Sequence, residues 1–234
     1  MKKVSVLGRG KTGGKVIELL NDHHAFRLSE VFHSQNAPLL KKMEEADALV
    51  VFVNGDVLEN IMPILMRLDR PIVCGTTGFN YHPYAADLAQ RKSAWLHGSN
   101  FSLGVHLMRK MLEEIRSGAS LFDHLDLSIH EIHHTKKLDS PSGTSKSMAS
   151  WLGPQLEKKT HITAERTGDV VGTHTLTLKT EFETLIVEHV AHDRLLFANG
   201  ALKMLEMLLA HPPQQKFLSI EQYLDQTLFK KRAL

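Results

Sequence analysis

The feature that most restricts the fold is Gly8-Arg9-Gly10-Lys11-Thr12-Gly13. It follows a short apolar run, Val4, Val6 and Leu7, and precedes a stretch with Val16, Ile17, Leu19 and Leu20 at helical spacing. G-x-G-x-x-G at a strand-to-helix turn suits a dinucleotide. The first glycine makes the turn, the second lets a pyrophosphate reach the backbone, and the third lets helix pack on strand. The helix N-terminus then offers N–H groups to the phosphate charge. Gly8, Arg9, Gly10, Lys11, Thr12 and Gly13 are therefore expected to hold a dinucleotide, against the plainer reading of a tight turn alone. Gly10-Lys11-Thr12 also mimics the end of a P-loop. That motif needs a glycine five positions before Gly10, where Ser5 stands inside the strand, so a nucleoside triphosphatase is rejected.

The pattern after this turn alternates. A strand is expected near Phe26–Phe32, another over the continuous apolar run Ala48–Val53, a helix near Val57–Leu68 and a strand at Pro71–Cys74. A helix near Ala85–Arg91 and a strand at Ala94–His97 follow. This alternation predicts a parallel α/β sheet. Hydrophobic residues make up 42% of the 234, enough to cover both faces of such a sheet.

Beyond Asn100 the pattern changes. Val105–Arg116 reads as an amphipathic helix with Leu107, Met108, Met111, Leu112 and Ile115 on one side. Leu125, Leu127 and Ile129 alternate with polar residues, as in a strand with one wet face. A helix is expected from Ser142, antiparallel strands near His174–Thr180 and Thr184–Ala191, and two closing helices from about Arg194 and Ser219. Ser219 and Gln222 have capping-box spacing. The middle region is thus α+β.

His130-Glu131-Ile132-His133-His134 contains a literal H-E-x-x-H. A zinc peptidase needs it on a helix, with both histidines one turn apart. The preceding alternation predicts a strand, which would separate His130 from His134 by about 13 Å at ~3.3 Å per residue. Lys136 and Lys137 follow directly and disfavour a cation, so no metal is expected. The better grouping runs on through Asp139, Ser140 and Pro141 to Ser142, Gly143 and Thr144. His133, His134, Lys137 and a helix start fall within twelve residues. N–H groups and hydroxyls at a helix N-terminus suit a carboxylate, Lys137 adds positive charge, and a histidine can donate a proton near neutral pH. The set fits a small anionic substrate that must be protonated.

The block H-H-x-x-K-x-D-x-P-S-G-T resembles the signature of the dihydrodipicolinate reductase family. Gly75-Thr76-Thr77-Gly78-Phe79 resembles that family's loop beside the nicotinamide, and Asn100-Phe101-Ser102-Leu103-Gly104-Val105 its domain-crossing segment. Gly168–His174 and Arg194–Ala201 resemble two later segments. The blocks fall in the family's order and span nearly the whole chain. Departures concern the cofactor end: a shorter glycine loop, Val51 where aspartate is common, Asn54 near where arginine occurs, and Gly98-Ser99 ahead of Asn100. His33-Ser34 stands where an acidic or basic cofactor discriminator is usual, leaving NADH and NADPH both open.

The resemblance implies an NAD(P)H-dependent reductase of a cyclic imine dicarboxylate. It implies a Rossmann-like NAD(P)-binding domain of residues 1–101 plus 194–234, and an inserted α+β substrate-binding and oligomerisation domain, 102–193. His133 would be the acid, Lys137 its support, and His134, Ser142, Gly143 and Thr144 the substrate holders. Gly8–Gly13, His33, Ser34, Gly75, Thr76, Thr77, Gly98, Ser99, Asn100 and Phe101 would line the cofactor. A homotetramer is implied. Two other classes fit the glycine loop: another two-domain NAD(P)-dependent amino- or hydroxy-acid dehydrogenase, and a non-catalytic dinucleotide sensor. The near-balanced charge, +2 from 28 basic and 26 acidic residues, argues against nucleic-acid or membrane partners. The single cysteine, the lack of a bilayer-length apolar run and an N-terminus unlike a signal peptide fit a cytoplasmic protein.

Overall fold

The structure is a computed structural model that describes residues 1–33 and 40–229. The expected cofactor residue Ser34 and the basic tail Lys230-Lys231-Arg232 lie outside the described residues. The strands are β1 (Lys2–Leu7), β2 (Phe26–Phe32), β3 (Ala48–Val51), β4 (Ile72–Cys74), β5 (Trp95–His97), β6 (Asp126–His133), β7 (His161–Arg166), β8 (Gly172–Lys179), β9 (Thr184–Ala191) and β10 (Phe217–Ser219). The α-helices are α1 (Lys11–Leu20), α2 (Leu40–Glu44), α3 (Gly55–Arg67), α4 (Ala85–Ala89), α5 (Leu103–Gly118), α6 (Gly143–Trp151), α7 (Pro154–Glu157), α8 (Leu195–Ala210) and α9 (Ile220–Thr227). They form two compact units, Met1–Phe101 with Leu195–Leu234, and Ser102–Arg194.

The first unit holds a six-stranded parallel sheet in the order β10-β5-β4-β3-β1-β2. Its central strands are buried on both faces, as the unbroken run at Ala48–Val51 predicts. One side packs Val4, Val6, Val16 and Leu20 against α8 and α9; the other packs Leu7, Leu49 and Val51 against Leu58, Met62 and Leu65 of α3. The strand order reverses beside β1, so the glycine turn ends the strand at a switch point, where ligands bind in such sheets. The helix begins at Lys11, inside the motif rather than after Gly13, because Gly10 already takes the N-cap conformation. α3 starts where the Asn54 side chain accepts from Val57 N at 2.9 Å. The expected capping box is present: Ser219 and Gln222 bond reciprocally at the start of α9.

The second unit holds a mixed sheet, β7-β6-β8-β9, with β6 parallel to β7 and antiparallel to β8. Along β6, Leu127, Ile129, Glu131 and His133 point to the buried face, where α5 and α6 contribute Met108, Leu112 and Met148. One expectation needs correction, and one strand was not expected. The buried side of α5 is Val105, His106, Met108, Arg109 and Leu112, while Leu107 and Met111 are about half exposed; the apolar residues cover more of the circumference than one packed face, and the sheet takes the 105–108–112 row. β7 escaped the sequence reading because an edge strand wet on both sides leaves no alternation in His161–Arg166.

Candidate active site

The residues expected to hold cofactor and those expected to hold substrate fall in different units. In the first unit, the glycines show which positions are needed by the fold and which leave space for a ligand. A Cβ on Gly8, whose φ is +100°, would sit 2.1 Å from Phe52 O, and one on Gly13 would sit 2.1 Å from Gly8 O. Both are required for the turn to close. Gly10 meets nothing within 4 Å, and no side chain caps α1. That is the arrangement a pyrophosphate needs: open backbone at the second glycine and a helix N-terminus behind it. Phe52 runs from the glycine turn to the next loop, where a Cβ on Gly75 would overlap its ring at 2.0 Å. Tyr81 Oη donates to Cys74 Sγ at 3.2 Å beneath Thr76, which is buried. Thr77 and Ser99 are exposed, Gly98 packs on Ile220, and Phe101 stacks edge-on to Phe52 at 5.5 Å. These positions fit a dinucleotide. His33 directly follows β2.

In the second unit, the H-E-x-x-H segment is a strand. His130 lies on the wetter face and bonds Thr163 Oγ1 at 2.8 Å. His133 lies on the opposite face with its side chain nearly buried, and Gly172 lets β8 approach: a Cβ there would be 3.1 Å from His133 Nε2. Ser142 caps α6, its Oγ accepting from Ser145 N at 3.1 Å. The next two residues, Gly143 and Thr144, supply the first amides of the helix. Nothing crowds Gly143.

Glu131 binds these pieces together. Its fully buried carboxylate accepts from Ser142 N at 3.0–3.1 Å, from Ser145 Oγ, and from Arg166 Nη2 at 2.8 Å. Burial alone would raise its carboxyl, but these hydrogen bonds outweigh burial and hold it at about 2. The same Oε1 lies 3.6 Å from His133 Nδ1. His174, on β8, stands edge-on to His133 at 5.0 Å between ring centres, with Nε2 3.3 Å from Ser142 Oγ. Burial pushes His133 below the ordinary imidazole value; Glu131 opposes this, while Lys137 and Arg166 reinforce it. His174 is pushed down to about 4, first by burial and then by His133. Lys137 Nζ is tied to Asp139 Oδ1 at 2.7 Å. His134 accepts at Nε2 from Arg194 Nη2 at 3.0 Å, so Arg194 brings a second positive charge beside that histidine.

Glu131, His133 and His174 could in principle share a metal, since one donor atom from each falls within 4.8 Å of the others. Arg166 already neutralises the carboxylate, and Lys137 adds like charge, so the set fits proton chemistry better. His23, His24 and Glu206 make a second such group. There His23 Nδ1 accepts from Ala25 N and Phe26 N, so its proton sits on Nε2, the atom a cation would need.

The structure brings together His133, Ser142, Gly143, Thr144 and, through its charge, Lys137. Sequence reasoning missed Glu131, Arg166 and His174. Glu131 was hidden inside the metal decoy. His174 did leave a signal, a histidine in register with the buried Leu176 and Leu178. Arg166 left none.

Family profiles decide the lineage. The profile for the N-terminus of dihydrodipicolinate reductase matches residues 2–101, and that for its C-terminus matches residues 104–224. The chain belongs to the dihydrodipicolinate reductase family. Its relatives include the 4-hydroxy-tetrahydrodipicolinate reductase of Chlamydia muridarum, 30% identical over 89% of each chain. That of Bdellovibrio bacteriovorus is 33% identical over 74% of this chain and 75% of the relative. Among solved structures, the dipicolinate-bound dihydrodipicolinate reductase of Paenisporosarcina sp. TG-14 shares the fold, with TM-score 0.78, 20% identity, and 94% of this chain and 98% of that one covered. The family is one of oxidoreductases, and the Rossmann-like parallel sheet expected of it is present.

Proposed function

We propose that this chain uses NADH or NADPH to reduce 4-hydroxy-tetrahydrodipicolinate, or its dehydrated form dihydrodipicolinate, to tetrahydrodipicolinate in the diaminopimelate route to lysine. The observation that carries this reading is the junction of β6 and α6. A buried histidine and a lysine stand beside a helix N-terminus whose cap is held by an internal carboxylate. A site of that kind takes a small carboxylate and gives it a proton. The relative from Paenisporosarcina carries dipicolinate, a dicarboxylate, in its structure.

Gly8, Arg9, Gly10, Lys11, Thr12 and Gly13 would hold the pyrophosphate. Gly75, Thr76, Thr77, Gly98, Ser99, Asn100 and Phe101 would border the nicotinamide. When bound, that cofactor supplies a hydride. The chain's own residues do the rest. Ser142, Gly143 and Thr144 bind one carboxylate through the first turn of α6. Lys137, and the Arg194 guanidinium beside His134, meet the remaining negative charge. His133 delivers the proton to the ring as charge develops there.

We assign the first unit to the cofactor and the second to substrate and assembly. A homotetramer through the second unit is supported by β9, an edge strand of its sheet that exposes Leu185, Ile186 and Val190. A cytoplasmic setting is supported by Cys74, a buried free thiol. Among the described residues, no helix is long and apolar enough to cross a membrane. The test is a coupled assay in which the preceding synthase makes the substrate in place. Cofactor oxidation should depend on that synthase, and folded enzyme without synthase-dependent oxidation would contradict the reading.

A further inference from the structure

We propose that Glu131 is a positioning residue that keeps the proton of His133 in place, fixing Nδ1–H so that Nε2 is the atom that donates, with Arg166 limiting how strongly it does so. This rests on the reading of His133 as the proton donor. Glu131 has no exposure to water, so its charge acts on its neighbours with little screening. Oε1 carries the Ser142 N and Arg166 bonds and is also the oxygen 3.6 Å from His133 Nδ1. At that distance the coupling is electrostatic, beyond hydrogen-bond length. His133 Nδ1 is buried and has no hydrogen-bond partner. A bare lone pair at Nδ1 would face a carboxylate oxygen and be repelled; an N–H there would be attracted. The ring is therefore held with its proton on Nδ1, and in the cationic form the second proton sits on Nε2, toward Gly172.

The surrounding charges make this role necessary. Lys137 on the following loop, Arg166 on β7 and burial itself disfavour a cationic His133, while His174 faces it from β8. Asp139 favours the cation, but it is largely exposed and engaged by Lys137. Glu131 is the buried anion that offsets them. A purely structural role, tying β6 to α6 and β7, would survive Glu131→Gln. The amide oxygen can still accept from Ser142 N and Arg166, and the amide N–H can donate to Ser145 Oγ once that hydroxyl turns.

The experiment is a pH titration of the His133 ring nitrogens by NMR in the full-length protein, for wild type, Glu131→Gln and Arg166→Met. The kcat/KM profile is measured alongside, and NAD(P)H titration serves as a check on folding. In wild type, neutral His133 should be the Nδ1–H tautomer. Glu131→Gln should move its titration to lower pH and carry the descending limb of kcat/KM with it. At pH 7.5 kcat/KM should fall about tenfold, and the loss should shrink as pH is lowered. Arg166→Met should move the titration to higher pH. General damage to the site would shift both variants the same way. An Nε2–H tautomer in wild type, an unmoved titration in Glu131→Gln, or shifts of equal sign in the two variants would overturn the proposal. The tautomer is read without any variant, so a substitution that fails to fold still leaves a decision. If instead His133→Ala keeps its kcat, the donor reading fails while the titrations still report whether Glu131 governs the ring.

Discussion

Gly10 and Gly13 belong to one motif but carry different burdens. Gly13 has Gly8 O where a Cβ would go, and Gly10 has open space. Gly13→Ala should lower stability by ~1–3 kcal/mol through overpacking, read as a lower denaturation midpoint. Gly10→Val should keep the midpoint and weaken NAD(P)H binding, because its side chain stands where the pyrophosphate approaches. A fluorescence titration giving wild-type affinity for folded Gly10→Val would remove the cofactor assignment. His133 makes a second prediction at this scale. Burial lowers its pKa in the unliganded protein. A bound dicarboxylate adds negative charge and stabilises the imidazolium. The general acid is lost as pH rises through this pKa, so the descending limb of kcat should lie at higher pH than that of kcat/KM. Coincident limbs would mean that another group sets the profile. The histidine-lysine block was legible because its members are contiguous. Glu131 and Arg166 lie 35 positions apart and meet only because β6 and β7 pair in register.

Most elements of the first unit could be read, since continuous apolar strands leave local marks, as do Ser219 and Gln222 at α9; the Asn54 cap of α3 and the five-residue α2 were not read. The second unit was legible where residue types alternate, as along β6, β8 and the more exposed β9, and illegible at β7 and the four-residue α7. β10 was also missed; its three residues are too few to show a period and take their place by pairing with β5. The buried face of β8 carries a measurable consequence. His174 is about 5% exposed and is pushed down to about 4. The unfolded chain takes up a proton at 6.5 that the folded chain refuses until about pH 4. Stability from this group is therefore complete above pH 6.5 and lost as pH falls toward 4, by up to ~3 kcal/mol. Glu131 acts in a separate window, because its stabilising contribution is lost only between the ordinary carboxyl value and about 2. Urea unfolding of the protein at pH 7.5, 6 and 5 should show the loss, and His174→Gln should flatten it. An unchanged slope in that variant would assign the acid sensitivity elsewhere.

At the scale of the whole molecule, the chain forms two units of different architecture, each with its own core. On the proposed reading, cofactor choice belongs to the first. β2 ends at Phe32 followed by His33, without the carboxylate that would repel a 2′-phosphate. NADPH should therefore serve at least as well as NADH in kcat/KM, and a large preference for NADH would contradict this. The same reading gives proton chemistry to the second unit, and that division can be measured. Steady-state kinetics of His133→Ala and Lys137→Ala, beside NAD(P)H titration without substrate, test it most directly. His133→Ala should lower kcat by ~10²–10⁴-fold, Lys137→Ala should lower kcat and raise KM, and both should bind NAD(P)H as wild type does. Near wild-type kcat in both variants would contradict the account.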